Sequence, residues 1–207
     1  IKGVKGINSL HVDIAARHAK YSDFNKSTTP KIGIRYRPIE DLLVRATYSE
    51  GFRAPSLHEL YKGGSQTHAF INDPCNNIAN IQTLTGCNTL SDETRKQFLT
   101  VFGGDQNLKA EKSTNRTLGL VWSPKFDPGL ILSIDYFHIK QTNVVDASAQ
   151  FIVNQNARFG LFSDRVTRDS NGNISKVVAN FINIGKRDVS GLDMTLKYQW
   201  HVSSNNF

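Results

Sequence analysis

Apolar and polar side chains alternate along several segments of the chain, and this pattern predicts about six β-strands with one apolar and one polar face. The clearest alternation is in residues 31–37, where isoleucine and tyrosine alternate with glycine and basic residues. The predicted strands are 10–21, 31–37, 42–49, 116–122, 130–139 and 189–200. In a water-soluble sandwich the apolar faces would meet a second sheet, whereas in a transmembrane barrel they would meet lipid. The alternation by itself is compatible with both.

The connections between the predicted strands fall into two classes. The links around Pro38 and Pro124 are short, whereas residues 61–113 and 141–180 form long loops, and the modest loop 22–29 falls on the long side by order. Short turns at one edge of a sheet and long loops at the other are typical of outer-membrane barrels. Aromatic residues on the apolar faces, mostly near strand ends, fit the aromatic girdle of such barrels. These residues are Tyr36, Tyr48, Trp122, Tyr136, Tyr198 and Trp200.

The long loops carry local signals of order. Residues 91–104 predict a short helix, with Ser91 as its N-cap, acidic residues in its first turn and a Gly-Gly end. Phe98, Leu99 and Phe102 would lie on one side of this helix. In the second loop, an Asn-Gly pair predicts a hairpin over 169–173 with a type I′ turn.

Cys75 and Cys87 lie within the first long loop. No other His or Cys accompanies them at metal-ligand spacing, so a local disulfide in an oxidising compartment fits better than a zinc site. Two free thiols are the alternative.

Composition excludes some classes of protein. The 207 residues have a mean hydropathy of −0.37 and a formal net charge of +7. No apolar run approaches the ~18–20 residues that a membrane helix needs, which excludes helical spans but not strands that alternate between lipid and lumen. Lys and Arg are scattered among carboxylates, so we expect no nucleic-acid partner. Because the chain begins with Ile1, we expect a mature or excised segment. At the other end, the polar residues around Ser203 favour a cut in the middle of a turn over a terminal strand that ends at Phe207.

The sequence shows no constellation for catalysis. The six histidines are dispersed, and no Ser-His-Asp order, metal cluster or phosphate-binding loop accompanies them. The two Gly-Gly pairs do not lie between a strand and a helix of a βαβ unit, so they are poor phosphate cradles. We therefore expect no enzymatic activity, no cofactor and no metal site.

Four stretches resemble, in order and spacing, motifs of TonB-dependent outer-membrane receptors. The longest is YSEGFRAPSL at 48–57, followed by ELY at 59–61. The others are YSDF at 21–24, NLKAEKS at 107–113, and NIG at 183–185 with VSGLD at 189–193. Ala110 stands where the family motif usually has proline. Together these stretches span most of residues 10–200, which makes the resemblance specific.

The resemblance implies an all-β fold, namely an antiparallel transmembrane β-barrel of about 22 strands with a plugged lumen. Residues 1–207 would supply about six strands of that single barrel domain and long extracellular loops, one carrying a short helix. The plug domain and the barrel remainder would lie outside this sequence, and an open edge exposed to lipid does not occur, so the functional object would be a longer chain.

The resemblance also implies a function in the outer membrane of a Gram-negative bacterium. The complete receptor would take up a scarce nutrient, namely an iron–siderophore, haem, cobalamin or an oligosaccharide. Its partners would be the TonB complex, acting through the missing plug, and outer-membrane lipid and lipopolysaccharide. The alternative function is a soluble or surface-anchored β-sandwich module for adhesion or carbohydrate binding, which does not explain how short and long connections sort by edge.

Three groups of residues receive expected roles. The family motif at the barrel rim is Gly51, Phe52, Arg53, Ala54, Pro55 and Ser56. Candidates for the lumen-facing wall are Lys31, Arg35, Arg37, Arg45, Asp193 and Lys197. Candidates for ligand contact in the long loops are Tyr61, His68, Phe70, Arg158 and Phe159.

Within the rim motif, Gly51 and Pro55 are predicted to end the strand, since proline has no N–H for the ladder. Arg53 has two interpretations. It either points inward toward plug or ligand, or it pairs with a neighbouring acid such as Glu50 or Glu59.

Overall fold

The computed structural model describes residues 2–4, 6–22, 26–77, 83–91 and 97–200. The chain divides into two compact units. The strand unit comprises Ile1–Ala54, Ala110–Val144 and Gly185–Phe207, and the loop unit comprises Pro55–Lys109 and Val145–Ile184. Both long loops of the sequence therefore belong to one compact unit.

The strands, in chain order, are β1 (Lys2–Val4), β2 (Ile7–Ala19), β3 (Ser27–Ile39), β4 (Leu42–Arg53), β5 (Ser65–Phe70), β6 (Gln97–Phe102), β7 (Glu111–Trp122), β8 (Leu130–Asp146), β9 (Val166–Arg168), β10 (Ile174–Val178) and β11 (Ile182–Tyr198). Within the described residues the helices are α1 (Leu57–Tyr61) and α2 (Ala149–Phe159), and Pro74–Asn76 form a 3-10 turn. In the part of the chain that the structure describes, no helix is long and apolar enough to cross a membrane.

The strand unit is a seven-stranded open sheet in the order β1-β2-β3-β4-β7-β8-β11. Successive pairs from β1 to β8 are antiparallel. All the predicted strands lie in this sheet, so the antiparallel all-β prediction is confirmed. Several strands are longer than predicted. For example, β8 continues to Asp146 and β11 starts at Ile182. These extensions were not predicted because the sequence does not alternate cleanly there.

Cross-strand register separates an apolar face from a polar face. On the apolar face Leu42 lies opposite Trp122, and Val44 lies opposite Leu120. Large side chains on this face are exposed, including Ile14, Leu118, Leu192, Met194 and Leu196. A β-sandwich would bury them beneath a second sheet, so their exposure argues against the sandwich alternative and fits contact with lipid.

Two predicted boundaries of strands are wrong. Pro30 does not close a loop, because β3 starts at Ser27 and Pro30 pairs with Ala16. Gly51 does not end β4, since Gly51 pairs with Ser113 and the strand continues to Arg53. In both places a neighbouring strand of equal length supplies the ladder partners. The residues Asp23 and Phe24 of the YSDF motif, and the predicted turn around Ser203, lie outside the described residues.

The two short turns of the strand unit are joined by polar contacts. The backbone N–H of Ser123 donates to the Asp41 carbonyl at 2.8 Å, and that of Lys125 donates to the Asp41 carboxylate at 3.0 Å. The Lys125 ammonium donates to Glu40, and this hydrogen bond raises the pKa of Lys125. Both side chains of the ion pair are exposed, so the backbone contacts are the ones that fix the turns.

The loop unit contains a four-stranded sheet in the order β5-β6-β10-β9. The outer pairs β5–β6 and β9–β10 are antiparallel, whereas the central pair β6–β10 is parallel. Since β6 comes from the first long loop and β10 from the second, the two loops share one sheet. Its buried side packs against α2 in a core formed by Ile71, Phe98, Ala149, Ile152, Val153, Val166, Ile174, Val177, Ala179 and Ile182.

The predicted helix in the first loop is wrong over its described part. Residues 97–102 form β6, with Phe98 and Thr100 buried on one side and Gln97 exposed. The predicted start at Asp92–Thr94 lies outside the described residues. The helix of the second loop, α2, was not predicted, although Ser148 caps its start and Gly160 ends it in the left-handed region.

The predicted hairpin is confirmed, because β9 and β10 pair across residues 169–173. The turn is not type I′, which needs a positive φ at both central residues. Gly172 has φ +80°, but Asn171 does not have a positive φ. Instead the Asp169 carboxylate accepts the N–H groups of Asn171 and Asn173 at 2.9 Å each, and these bonds hold the five-residue loop.

Candidate functional site

The polar face of the main sheet carries two ion pairs that join different strands. Arg45 donates to both carboxylate oxygens of Asp135, at 2.8 and 2.6 Å. Arg35 contacts Asp13 at 3.2 Å. Arg35 and Arg45 are register partners, so their like charges are adjacent, and each acid offsets one of them.

Gly119 makes the Arg45–Asp135 pair possible. This glycine lies on β7 between the two partners, opposite Arg45 on one side and Asp135 on the other. A Cβ atom at Gly119 would lie 1.9 Å from the Asp135 carboxylate and 2.9 Å from Nε of Arg45. Only a residue without a side chain lets the ion pair cross over the strand.

The predicted lumen-facing residues share this polar face. Lys31, Arg35 and Arg45 are placed there by the register of β2, β3 and β4, and Arg37 follows in the alternation. Asp193 and Lys197 lie on the same side of β11 as Gly191, since an even number of residues separates them. An added Cβ at Gly191 would lie 2.5 Å from the Phe137 ring on the polar face of β8. The structure thus brings all six residues to one face, and their orientation toward a lumen stays a prediction.

The rim motif forms the passage from β4 to α1. Arg53, the last residue of β4, donates to both carboxylate oxygens of Glu111, its register partner, at 2.8 and 2.7 Å. Pro55 is buried, and Ser56 and Glu59 form a reciprocal capping box at the start of α1. The bidentate pair with Glu111 gives Arg53 a role in the fold, with an acid partner from β7 that sequence proximity did not suggest.

A cleft of about 380 Å³ opens at the rim of the strand unit, where β3 and β4 separate beyond the Lys31–Ser49 pair. Arg17 and Lys31 contribute exposed cations to this cleft, and Glu50, which accepts the Tyr48 hydroxyl, contributes one carboxylate. The rings of Tyr21 and Phe52 lie 5.9 Å apart at its edge. Arg17 and Tyr21 were not among the predicted ligand contacts, although both lie near the end of an amphipathic strand that leads into a loop.

The predicted ligand-contact residues lie in separate places. Tyr61 ends α1 and is exposed beside a shallow pocket of about 500 Å³. His68 and Phe70 alternate with Ala69, which packs on the core, so both point away from the face that α2 covers. Arg158 and Phe159 lie exposed in the last turn of α2. The five residues therefore do not form one contact surface within the loop unit.

A buried polar cluster ties the two loops together inside the loop unit. Cys75 and Cys87 form a disulfide, which confirms the pairing expected from the sequence. Arg168 donates to both oxygens of Asp73, at 2.6 and 2.9 Å, and to the Gly172 carbonyl at 2.8 Å. Both partners are largely buried, with side-chain exposures of 18% and 3%. Asp73 comes from the first long loop and Arg168 from the second.

Oxidation of the cysteine pair is directly testable. Both cysteines are buried in the structure, so we expect the whole protein isolated without reductant to contain the Cys75–Cys87 bond. Mass spectrometry of a non-reduced digest, with free thiols alkylated beforehand, should give one linked peptide pair. Separate alkylated peptides would contradict the bond, and the same digest after reduction is the control.

Among the described residues, no group of three or more His, Cys, Asp or Glu side chains is arranged to hold a metal ion.

Comparison with known proteins identifies this architecture. The family model "TonB dependent receptor-like, beta-barrel" matches residues 6–207. The siderophore receptor PirA of Acinetobacter baumannii aligns with a TM-score of 0.62 and 15% identity, over 93% of this chain and 24% of that chain. PirA of Pseudomonas aeruginosa aligns at 0.58 and 20%, over 90% and 28%. A mutant of the ferric enterobactin receptor PfeA from Pseudomonas aeruginosa aligns at 0.60 and 17%, over 90% and 22%.

At these identities the likeness to solved structures concerns the fold. The chain spans about a quarter of the length of these receptors. A search of curated proteins gives no match.

Proposed function

The chain belongs to the TonB dependent receptor-like β-barrel family of Gram-negative outer-membrane transport receptors, and we propose that it forms part of the wall and the extracellular loops of one such receptor. Residues 1–207 belong to a single barrel domain in this proposal, and the plug and the remaining strands lie elsewhere in the whole protein. The observation that supports this proposal most directly is the two-faced sheet, which has exposed apolar residues on one face and ion pairs on the other. Lipid on one side and a wet lumen on the other would suit both faces.

The proposed activity is uptake of a scarce nutrient, driven by the TonB complex acting on the plug. Among the cargoes that the family resemblance implies, we propose an anionic ferric chelate. The exposed cations Arg17 and Lys31 and the aromatic rings of Tyr21 and Phe52 support this class, because they suit an anionic and partly aromatic ligand. PirA is a siderophore receptor and PfeA a ferric enterobactin receptor, which agrees with the same class.

The test uses cells that make the complete receptor. Ferric catecholate and ferric hydroxamate chelates with radioactive iron, haem, labelled cobalamin and a labelled oligosaccharide are compared for binding and for uptake. We expect a ferric chelate to bind, and the variant Arg17→Ala/Lys31→Ala to lose at least about tenfold in affinity, since contacts to charged groups contribute about 1.5–3 kcal/mol each. Uptake, but not surface binding, should stop in cells without TonB.

Lys197→Ala is the matched control, because it removes a cation from the same face near the short turns. It should bind the chelate like the unmodified receptor. Preferential binding of cobalamin or the oligosaccharide would overturn the ferric-chelate proposal, and uptake that continues without TonB would overturn the transport mechanism.

A further inference from the structure

The apolar face of the main sheet changes character near the long loops. Register places Leu118 opposite Tyr136 on this face, and one row closer to the loops it places Arg116 opposite His138. The next rows pair Thr114 with Lys140 and Lys112 with Thr142. The same face of the same strands therefore turns from apolar to cationic within one register row.

The six residues in the three rows closest to the loops line a cavity of about 330 Å³ between β7 and β8. They are Lys112, Thr114, Arg116, His138, Lys140 and Thr142. Lys112, Arg116 and Lys140 are exposed. In the part of the chain that the structure describes, none of the three forms a salt bridge. They are therefore available to an anion that approaches the outer surface of the strands.

The nearby acids already have partners. Asp188 contacts Nε2 of His138 at 2.6 Å, and Glu50 accepts the hydroxyl of Tyr48 at 2.7 Å. The ring of Tyr48 also lies 5.9 Å from the Arg116 guanidinium, which holds that cation over the sheet. The carboxylates of Glu50 and Asp188 offset part of the positive charge, but the three cations outnumber these two acids. An additional anion would therefore stabilise them on a surface where lipid is expected.

We propose that this cavity binds the phosphate groups of an outer-leaflet lipid headgroup. In outer-membrane barrels the long loops are extracellular, so the cationic rows lie at the level of the outer-leaflet headgroups. The apolar rows that begin at Leu118 and Tyr136 continue directly below, where the acyl chains of the same lipid would lie. A bound headgroup would thus place its charges on Lys112, Arg116 and Lys140 and its chains on the apolar face. The inference rests on the barrel orientation and is independent of the nutrient that is transported.

The test uses the complete receptor purified in neutral detergent, with bisphosphorylated lipid A as the probe. Binding is measured by native mass spectrometry while the mole fraction of lipid in the micelle is varied. The variant Lys112→Ala/Arg116→Ala/Lys140→Ala should bind this probe about 100-fold more weakly, because each cation near an anionic surface contributes about a factor of five. Lipid A without its phosphates should bind the unmodified receptor with a similarly reduced affinity.

The matched control removes three cations near the short turns at the other end of the strands, Arg37→Ala/Lys125→Ala/Lys197→Ala. It should bind bisphosphorylated lipid A like the unmodified receptor. Equal binding of the two lipid A forms would overturn the proposal, and this arm remains decisive if the triple variant does not assemble. The proposal would also be overturned if Lys112→Ala/Arg116→Ala/Lys140→Ala bound bisphosphorylated lipid A as tightly as the unmodified receptor does. Displacement of lipid A by millimolar inorganic phosphate would replace the lipid site by a site for free phosphate.

Discussion

Replacing Asp73 with alanine is expected to open the loop unit. Arg168 would keep its buried position without the carboxylate that holds its two guanidinium nitrogens, while Nε of Arg168 already has no hydrogen-bond partner. Removing one partner of a buried ion pair costs about 3–5 kcal/mol. Because the pair joins the two long loops, this cost falls on the contact that keeps β9 and β10 beside the segment that contains the disulfide.

Hydrogen–deuterium exchange of the complete receptor measures this effect. Backbone amides in the core of the loop unit, such as those of Ile152 and Ala179, should lose protection by at least about 100-fold in Asp73→Ala, since each 1.4 kcal/mol is tenfold. The variant Asp13→Ala is the control, because it removes an acid from an exposed ion pair worth about 0–1 kcal/mol.

A double variant separates the pair from its surroundings. Asp73→Leu/Arg168→Met removes both charges, and replacing a buried ion pair by apolar residues is often neutral. We therefore expect it to protect the core better than Asp73→Ala does. Unchanged exchange in Asp73→Ala would show that the Asp73–Arg168 pair does not hold the loop unit together.

Gly119→Ala is expected to destabilise the barrel, although alanine in a strand is normally better than glycine by about 0.5–1 kcal/mol. The new Cβ would lie 1.9 Å from the Asp135 carboxylate and 2.9 Å from Nε of Arg45, so the bidentate pair must separate. We expect a loss of about 2–3 kcal/mol in the free energy of unfolding, at the upper end of ordinary single substitutions. The measurement is a urea titration of the complete receptor in detergent, followed by the fraction of compact barrel in an unheated electrophoresis gel.

Gly33→Ala is the matched control, because Gly33 is also buried on the polar face of the sheet. Its nearest neighbours for a new Cβ are Asp13 atoms at 3.7 Å, which is ordinary contact. This variant should be neutral or slightly more stable. In a double-mutant cycle, Asp135→Ala should cost much less in the Gly119→Ala background than in the unmodified receptor. Additive effects would show that Gly119 and the ion pair act independently.

The alternation of residues was sufficient to predict the faces of the main sheet. A strand has a period of two, so Ile32, Ile34 and Tyr36 must share a face whatever the neighbours are. The shared polar face of Arg35 and Arg45 followed for the same reason. Strand ends were predicted less well. Glycine and proline usually interrupt strands, but Gly51 and Pro30 lie within strands because the neighbouring strands pair with them.

The loop unit illustrates the opposite case. Phe98, Leu99 and Phe102 were compatible with a helix, but β6 is a strand because β5 and β10 supply hydrogen bonds on both sides. The helix α2 did carry readable signals at Ser148 and Gly160, with Ile152, Val153 and Asn156 on a buried side between them. A serine cap and a terminal glycine that enclose an apolar stretch are sufficient to predict a helix at this place.

Local patterns in the sequence were enough to predict the two faces of the sheet, the sorting of short and long connections and the resemblance to the family, and they favoured a cysteine pair over free thiols. These features depend on residues near one another in the chain, or on motifs whose order survives without coordinates. Three-dimensional contacts were needed to show that the two long loops form one core, that Asp73 meets Arg168, that Gly119 lies beneath an ion pair, and that Lys112, Arg116 and Lys140 surround one cavity. Each of these contacts joins residues on different strands or loops, and their pairing depends on cross-strand register, which no local pattern encodes.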